Sequence, residues 1–262
     1  MTTAPAEKVR IGTSGFSYDD WRGVFYPEKI KKGMMLEYYA RHFNTVELNS
    51  PYYAIPARSV FYRMEQKTPP DFEFIVKCHQ DVTHHRKNGR NSLLRLIEAV
   101  EPLLLTQKMS GFLAQFPFSF KNNEKNRVYL RKVREWAGPL PLFVEFRHVS
   151  WQEKAVVDFL KTLKTGYVNV DLPLLKGLPR PDGVVTNKLA YVRFHGRNAG
   201  NWWTGSNETR YAYSYSEAEL KEWTGNIQKL LANSQKFYAF FNNHPRGNAV
   251  QNADLLKGLI GG

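Results

Sequence analysis

This sequence of 262 residues has a single cysteine, no long apolar run and no histidine-rich zinc motif. With Cys78 as the only cysteine, neither an intrachain disulfide nor a cysteine-based zinc site can form. No apolar run approaches the roughly 18 residues of a membrane-spanning helix, so we expect no contact with a membrane. The first residues, MTTAPAEKVR, lack the apolar core of a secretory signal, and we therefore expect a cytoplasmic location.

Basic residues outnumber acidic ones. The chain has 37 Lys and Arg against 24 Asp and Glu, a net charge of +13 with neutral histidines. Because 42% of the residues are hydrophobic, the charge does not indicate a disordered chain. The excess of positive charge favours an anionic small molecule or a nucleic acid as the partner. No feature indicates an obligate protein partner.

Short apolar blocks alternate with helix-like segments along the whole chain. The predicted strands are Val9–Thr13, Thr45–Asn49, Phe72–Lys77, Gly111–Phe116, Leu142–Arg147, Tyr167–Asp171, Ala190–His195 and Phe237–Asn242. The predicted helices are Met34–Phe43, Arg58–Gln66, Ser92–Gln107, Glu124–Trp136, Gln152–Leu163, Ser216–Ala232 and Asn248–Leu259. Between Asp171 and Ala190 three prolines predict a loop.

Eight such units of about 33 residues each are typical of a (β/α)8 barrel. A doubly wound open sheet would alternate in the same way, but it usually carries a glycine-rich phosphate loop after a strand. Gly12–Gly15 is the nearest candidate, and the bulky Phe16, Tyr18 and Trp21 follow it. We therefore predict a single TIM-type barrel domain over residues 1–262, with residues 1–8 as a flexible tail.

Alternation of side chains along a strand predicts which residues point into the barrel. In Leu142–Arg147, Val144 and Phe146 suit the helix-facing side, so Glu145 and Arg147 point inward. The same argument places a set of polar residues inside the barrel near the carboxyl ends of strands, where barrel enzymes build their sites. This set is Ser14, Glu47, Asn49, Lys77, Gln115, Glu145, Arg147, Asp171, Arg193, His195 and Asn242.

The inward set has the chemistry of an anion-binding active site. Guanidinium groups bind phosphate or carboxylate, a carboxylate can act as general base, and a histidine as general acid. The predicted catalytic residues are Glu145, His148, Asp171 and His195. The predicted substrate-binding residues are Ser14, Tyr18, Asn49, Tyr53, Lys77, Gln115, Arg147, Arg193, Arg197, Asn242 and Asn243. Together they predict a hydrolase-like enzyme that acts on a phosphate-bearing substrate, nucleic acid included.

Other interpretations stay open. The charges of Glu47, Lys77, Glu145, Arg147, Asp171 and Arg193 sum to zero, as a purely structural network of ion pairs would. His195, Glu145 and Asp171 are also candidate ligands for a divalent metal, although no HxH or HExxH motif occurs.

A non-catalytic nucleic-acid binder is the main alternative function. Basic runs such as Lys29–Lys32 and His84–Lys87, and the aromatic stretches Asn201–Thr204 and Tyr211–Tyr215, suit backbone contacts and base stacking. A carbohydrate-active enzyme is a further alternative, since aromatic residues and paired carboxylates also suit glycosidases. The many basic residues fit a neutral sugar poorly.

The same segments resemble the domain of unknown function 72 family, also called YecE-like. The matching segments, in chain order, are Gly12–Tyr18, Trp21, Phe25–Pro27, Tyr38–Ala40, Phe43, Thr45–Asn49, Tyr52–Tyr53, Pro56, Lys77, Thr83–His84, Gln115–Pro117, Val144–His148, Trp151, Asp171, Tyr191–Arg197, Phe241–His244, Ala249 and Asn252–Ala253. The resemblance implies a TIM-type barrel and no particular reaction. The family usually has Phe-Tyr-Arg before the proline that follows the second strand. Here the segment is Tyr52–Pro56, so one anion contact of the family is missing.

Overall fold

A computed structural model of the chain describes residues 8–261. Its eight strands, in chain order, are β1 Val9–Thr13, β2 Thr45–Leu48, β3 Glu73–Lys77, β4 Met109–Gln115, β5 Leu142–Glu145, β6 Gly166–Asp171, β7 Leu189–Phe194 and β8 Lys236–Phe241. All paired neighbours are parallel, in the order β1-β8-β7-β6-β5-β4-β3-β2. The helices are α1 Met35–Tyr39, α2 Arg58–Gln66, α3 Gly89–Ala99, α4 Glu101–Leu105, α5 Glu124–Trp136, α6 Lys154–Thr162, α7 Asn207–Tyr211, α8 Glu217–Lys221, α9 Thr224–Ala232 and α10 Asn248–Gly261.

The two end strands of this order, β1 and β2, meet at the seam of the barrel. A single bridge joins Ser14 and Glu47 at the carboxyl end of the seam. Further down, the Tyr39 hydroxyl accepts from the Thr13 amide at 2.9 Å and donates to the Thr45 carbonyl at 3.1 Å. One phenol thus links the two strands where the ladder is absent. The sheet is nearly closed, which confirms the predicted (β/α)8 barrel.

Two predicted helices are each divided in two, and both divisions have a local cause. The predicted helix Ser92–Gln107 is interrupted at Val100, because Pro102 starts a new helix, α4, at a position where its missing amide hydrogen costs little. The segment Ser216–Ala232 starts with the predicted cap: Ser216 and Glu219 form a capping box. It then divides into α8 and α9 next to Trp223, whose indole is held by a buried carboxylate.

The connection between β6 and β7 and the first residues of the chain are predicted to lie outside helices and strands. The stretch between Asp171 and Leu189 contains only turns, as its prolines predict. Residues 1–7 of the predicted flexible tail lie outside the described residues. Lys8 is described, and its ammonium group donates to the Leu231 carbonyl. Within residues 8–261, no helix combines the length and apolar character needed to cross a membrane.

Two hydrophobic layers surround the strands, and they test the predicted direction of the side chains. The outer layer packs the helices on the barrel, while the inner one fills the barrel with large residues such as Phe143, Tyr191 and Tyr238. The prediction is wrong in β6, where Val168 and Val170 belong to the inner layer. Asp171 therefore points outward, to the helices.

Candidate functional site

A cavity of about 430 Å³ opens at the carboxyl ends of the strands. Its lining comes from the strand ends and the loops that follow them: Tyr18, Asn49, Tyr52, Tyr53, Lys77, His84, Gln115, Pro117, Phe118, Arg147, Leu178, Arg193, Trp202, Trp203, Arg210, Tyr211, Asn242 and His244. Four of these side chains are basic and none is a carboxylate. A second cavity, of about 760 Å³, lies at the opposite end of the barrel beside Ile11, Phe43 and Phe72, with a mainly apolar lining.

Arg193 lies at the floor of the mouth cavity, and both of its terminal nitrogens have acidic partners. Its two terminal nitrogens donate to Glu47 and to Glu145, each at 2.6 Å, and one of them also lies 3.3 Å from the Ser14 hydroxyl. The Tyr191 hydroxyl donates to the other oxygen of Glu47. All of these side chains are buried. Because the guanidinium plane is fixed from two sides, Arg193 can present its remaining edge to the cavity without moving.

Glu145 connects Arg193 to a second group of residues. Its second carboxylate oxygen accepts from Arg147 and lies 3.1 Å from His195 Nε2. Burial raises the pKa of Glu145, but Arg147 and Arg193 outweigh burial and hold that pKa well below its usual value. The carboxylate is therefore ionised, and it lies below the cavity surface with both oxygens engaged.

His195 is a neutral link in this group. Burial, together with the positive charge of Arg147, lowers the pKa of His195 to about 3. Asn242 Nδ2 lies 3.1 Å from His195 Nδ1 and can donate to it. The ring proton is then on Nε2, where it points to Glu145. Asn242 lines the cavity, whereas His195 is fully buried beneath it.

Lys77 and Arg210 are the two cavity cations without an acidic partner. Within the described residues, no carboxylate oxygen lies within 4 Å of either side chain. The Lys77 ammonium nitrogen lies 4.6 Å from the centre of the Tyr52 ring. The Arg210 guanidinium lies 5.9 Å from the Trp202 ring and makes a long contact, 3.4 Å, to the Gly205 carbonyl.

The charge of the site follows from these contacts. Glu47 and Glu145 balance Arg147 and Arg193, so Lys77 and Arg210 leave an excess of positive charge at the cavity. Burial, assisted by the charge of Arg193, lowers the pKa of Lys77 to about 7. A phosphate or carboxylate group would relieve the repulsion among these cations.

Three polar atoms point to the same conclusion. Among the described residues, only four buried side-chain polar atoms have no hydrogen-bond partner. Three of them, Asn49 Oδ1, Arg193 Nε and Arg210 Nε, belong to residues that line the cavity. Buried polar groups are normally paired, so a cluster of unpaired ones marks a place where a ligand or water makes the missing bonds.

Aromatic side chains form the rim of the cavity. Tyr18 stacks on His244 with ring centres 4.4 Å apart. A positive φ of 88° at Gly15 lets the chain turn there, and the Tyr18 hydroxyl donates to the Ser14 carbonyl at 2.7 Å. Trp203 packs its edge on Phe118 at 4.8 Å and remains half exposed. The rim thus offers flat faces on which a planar ring can stack.

Comparison with known proteins identifies the family. The sequence model described as "Protein of unknown function DUF72" matches residues 10–262. The chain belongs to the DUF72 family. It is similar to the UPF0759 protein YunF of Bacillus subtilis, at 30% identity over 96% of this chain and 94% of YunF. It is also similar to the UPF0759 protein YecE of Escherichia coli, at 40% identity over 54% of this chain and 51% of YecE.

Solved structures of DUF72 family proteins have the same barrel. A family member from Thermotoga maritima matches with a TM-score of 0.90 and 42% identity, over 97% of this chain and 99% of that one. A family member from Enterococcus faecalis matches with a TM-score of 0.86 and 26% identity, over 97% of this chain and 95% of that one.

Asp171, Arg197 and Asn243 are not at the mouth of this DUF72 barrel, contrary to the sequence prediction. Asp171 accepts from Tyr215 at 2.7 Å, from Trp223 at 2.7 Å and from Arg197 at 2.8 Å. Asn243 donates to the Tyr213 carbonyl at 2.8 Å. These contacts lie among the helices outside the barrel.

In this outer network Asp171 is buried and bound by Tyr215, Trp223 and Arg197, away from the cavity. It anchors the segment that follows β7, and that segment carries Trp202, Arg210 and Tyr211 over the cavity. The balanced charge set proposed from the sequence therefore loses Asp171. Of the candidate metal ligands, His195 and Glu145 lie 3.1 Å apart but Asp171 is directed away from them, and among residues 8–261 no three His, Cys, Asp or Glu side chains are grouped to hold a metal ion.

The other predicted residues divide by depth. Tyr18, Asn49, Tyr53, Lys77, Gln115, Arg147, Arg193 and Asn242 line the cavity, whereas Ser14, Glu145 and His195 lie beneath it. His148 lies beside it, with its ring 4.8 Å from Phe118 and its Nδ1 accepting from the Ser150 amide at 3.1 Å.

Sequence reasoning missed Arg210, Phe118 and Leu178 as lining residues. Phe118 and Leu178 lie on loops, and Arg210 lies on the five-residue helix α7, which is too short to show a helical period in the sequence. The one available signal was the aromatic content of the loop after β7, which marked Trp202, Trp203 and Tyr211 but not the arginine between them.

Proposed function

We propose that this DUF72 family member is an enzyme that acts on a small phosphate-bearing molecule at the barrel mouth. One observation carries the proposal. Four basic side chains and no carboxylate line the cavity, and two of the four, Lys77 and Arg210, have no acidic partner among the described residues. Such a surface favours a dianionic group, because each unpaired cation gains a charge-assisted hydrogen bond when that group binds.

Size and shape support a substrate that also has a planar ring. A volume of about 430 Å³ lies in the range of pockets for metabolite-sized ligands. Trp202, Tyr211 and Phe118 offer ring faces at the wall, and Arg147 lies 5.7 Å from the Trp202 ring. A nucleotide or another phosphorylated ring compound fits this combination of cations and aromatic faces.

The proton-transfer groups differ from those that the sequence suggested. Glu145 is ionised and has both oxygens occupied by Arg147, Arg193 and His195, which favours a positioning role for it. Lys77 and His84 face the cavity instead. Burial, together with the nearby charge of Lys77, lowers the pKa of His84 to about 4, so this ring is neutral at pH 7 and can accept a proton.

Binding of a single-stranded nucleic acid is the second candidate. Tyr53 and Trp203 are 63% and 51% exposed at the rim, which favours stacking of a base that extends from the cavity. The cavity itself accommodates one nucleotide and not a duplex. A carbohydrate-active enzyme is disfavoured, because the described part of the chain places no pair of carboxylates at the cavity wall.

The test compares adenosine 5′-monophosphate, ribose 5-phosphate and pyrophosphate with uncharged adenosine. We expect a phosphorylated compound, and not adenosine, to raise the melting temperature. We expect the Arg210→Gln variant to bind the phosphorylated compound about tenfold more weakly, because it loses one charge-assisted hydrogen bond. Arg63→Gln removes an exposed arginine of α2 and serves as the matched control, with no change in affinity.

Two results would count against the proposal. The first is that none of the three phosphorylated compounds stabilises the protein at low salt. The second is that Arg63→Gln weakens binding as much as Arg210→Gln, since the attraction would then come from the overall charge. Fluorescence anisotropy with a labelled single-stranded oligonucleotide separates the second candidate: tight binding without stabilisation by the small compounds favours nucleic acid.

A further inference from the structure

Among residues 8–261, Lys77 is the only lysine that lines the mouth cavity. It is the last residue of β3, where the pairing with Leu113 of β4 fixes its backbone. Its side chain is half-buried, and its nitrogen lies over the face of Tyr52 at 4.6 Å. A rigid strand thus presents an amine to the cavity at a defined place, which is what a reactive group requires.

Lys108 shows how this protein treats a buried lysine that has a structural role. Its ammonium group lies 3.1 Å from a Glu65 carboxylate oxygen and donates to the Thr68 and Glu65 carbonyls, each at 2.8 Å. The Lys108 ammonium group thus has a carboxylate and two carbonyl oxygens as partners. Lys77 has no hydrogen bond or carboxylate of this kind within the described residues, so its position is not explained by the stability of the fold.

We propose that Lys77 is a nucleophile that forms an imine with an aldehyde or ketone carrying an anionic group. The proposal rests on the proposed function for the anion contacts, which Arg147 and Arg210 supply, and it names a carbonyl compound as the substrate class. An amine reacts with a carbonyl only in its neutral form. Burial and the charge of Arg193 support that form, because they lower the pKa of Lys77 to about 7.

The chemical step is balanced without an oxidant or a metal. The lone pair of Lys77 Nζ attacks the carbonyl carbon, and the carbonyl π electrons move to oxygen, which takes up a proton. The resulting carbinolamine loses its hydroxyl group as water, and loss of the last N–H proton gives the C=N bond. Amine and carbonyl compound are therefore converted to imine and water.

His84 lines the same cavity and is the group that we assign to proton transfer during imine formation. Its ring packs on the edge of Tyr52 with centres 5.1 Å apart, so His84 and Lys77 contact the same aromatic ring. The Nδ1 atom of His84 is also hydrogen-bonded to the Thr83 hydroxyl at 2.9 Å. It can take the proton that Nζ releases and return it to the departing hydroxyl group.

The experiment uses pyridoxal 5′-phosphate as probe, with uncharged pyridoxal as its matched control. The full-length protein is incubated with each at pH 7 and reduced with borohydride, and the modified lysines are mapped by mass spectrometry. We expect about one pyridoxyl phosphate group per chain, on Lys77, at a concentration that leaves the surface lysine Lys121 unmodified. The yield at Lys77 should rise through pH 7, whereas surface lysines react well above it.

Competition by pyrophosphate and the Arg210→Gln variant test whether the labelling of Lys77 depends on the anion contacts. Pyrophosphate should reduce labelling of Lys77, because it occupies the same cations. Arg210→Gln should lower the yield with pyridoxal 5′-phosphate about tenfold and leave the slower reaction with pyridoxal unchanged. Since labelling is measured on the unchanged protein, no lysine variant has to fold for the test to be decisive.

The outcomes separate this inference from the function on which it rests. If adenosine 5′-monophosphate or pyrophosphate stabilises the protein while Lys77 stays unlabelled, the imine chemistry is refuted and the phosphate site stands. If Lys77 reacts equally with pyridoxal and its phosphate, the nucleophile stands and the anion site is refuted. Labelling spread evenly over surface lysines refutes the nucleophile.

Discussion

The amino end of the barrel holds one buried carboxylate, Glu73, and the carboxyl end holds two, Glu47 and Glu145. The two ends differ in how completely the cations around these carboxylates are paired. At the amino end, Glu73 accepts from Arg10 at 2.9 Å, Ser110 at 2.7 Å and Lys236 at 2.6 Å, and also from Tyr238. No atom of this group is among the buried polar atoms without a partner. The amino end is a closed structural cluster.

At the carboxyl end, the carboxylates of Glu47 and Glu145 are equally well paired, but the cations exceed them. Lys77 and Arg210 remain without an acidic partner in the part of the chain that the structure describes, and unpaired polar atoms collect around them. Similar residue types are thus fully paired at one end, whereas at the other they leave the unpaired cations on which the proposed ligand site rests. The difference lies in pairing and not in composition, in keeping with barrels whose sites are built at the carboxyl ends of the strands.

The largest expected effect compares Glu145 at the carboxyl end with Glu73 at the amino end. Glu145→Gln removes the charge that Arg147 and Arg193 share, and we expect a loss of about 3–5 kcal/mol in the free energy of unfolding. Glu73→Gln should cost less, about 1–3 kcal/mol, because Lys236 is one-third exposed and can be solvated. Urea titration of both variants measures the difference. An equal or larger cost at Glu73 would show that solvation of Lys236 does not offset the loss of its carboxylate.

Replacing Lys77 at the carboxyl end and Lys108 at the amino end should change the free energy of unfolding in opposite directions. Lys77→Met removes an unpaired cation and should stabilise the protein by about 1 kcal/mol while it abolishes labelling. Lys108→Met removes a fully paired one and should destabilise it by about 1–3 kcal/mol. Thermal unfolding at pH 6, where Lys77 is mostly protonated, gives the clearest contrast. Destabilisation by both changes would show that Lys77 has a structural partner.

The most gradual expected effect is the change of stability with pH that is due to His195. With a pKa of about 3 in the folded protein and about 6.5 in the unfolded chain, this ring binds a proton only on unfolding between these values. Stability is therefore full above pH 6.5 and falls as the pH is lowered. His195→Gln should reduce the slope of stability against pH between 7 and 5 by up to about 1.4 kcal/mol per pH unit.

The lowered pKa of Glu145 acts in the same direction, but only below its ordinary value of 4.5, outside this range. His84 contributes a similar slope in both proteins, since its pKa is lowered to about 4. An unchanged slope in His195→Gln would mean that the ring is protonated in the folded protein. The contact with Glu145 would then be an ion pair.

How much of the site the sequence predicts depends on the contrast between the two faces of each strand. In β5, polar Glu145 and Arg147 alternate with apolar Val144 and Phe146, so their direction follows from the pattern alone. In β6, Val168 and Val170 alternate with Asn169 and Asp171, and the same rule puts the valines on the wrong face. A barrel interior filled by large residues such as Phe143 and Tyr191 needs small apolar neighbours there, and the rule does not include this.

The order of the elements, the barrel itself and the inward direction of Glu47, Glu145 and Arg193 are determined by the sequence, because burial of apolar side chains acts locally on each strand and helix. The outward position of Asp171 and the place of Arg210 at the cavity were decided only by the tertiary structure. The partners of Asp171 are distant in the chain: Arg197 is 26 residues away and Trp223 is 52. Pairing between such distant groups depends on how the loops fold over the barrel, and local patterns of hydrophobicity carry no information about it.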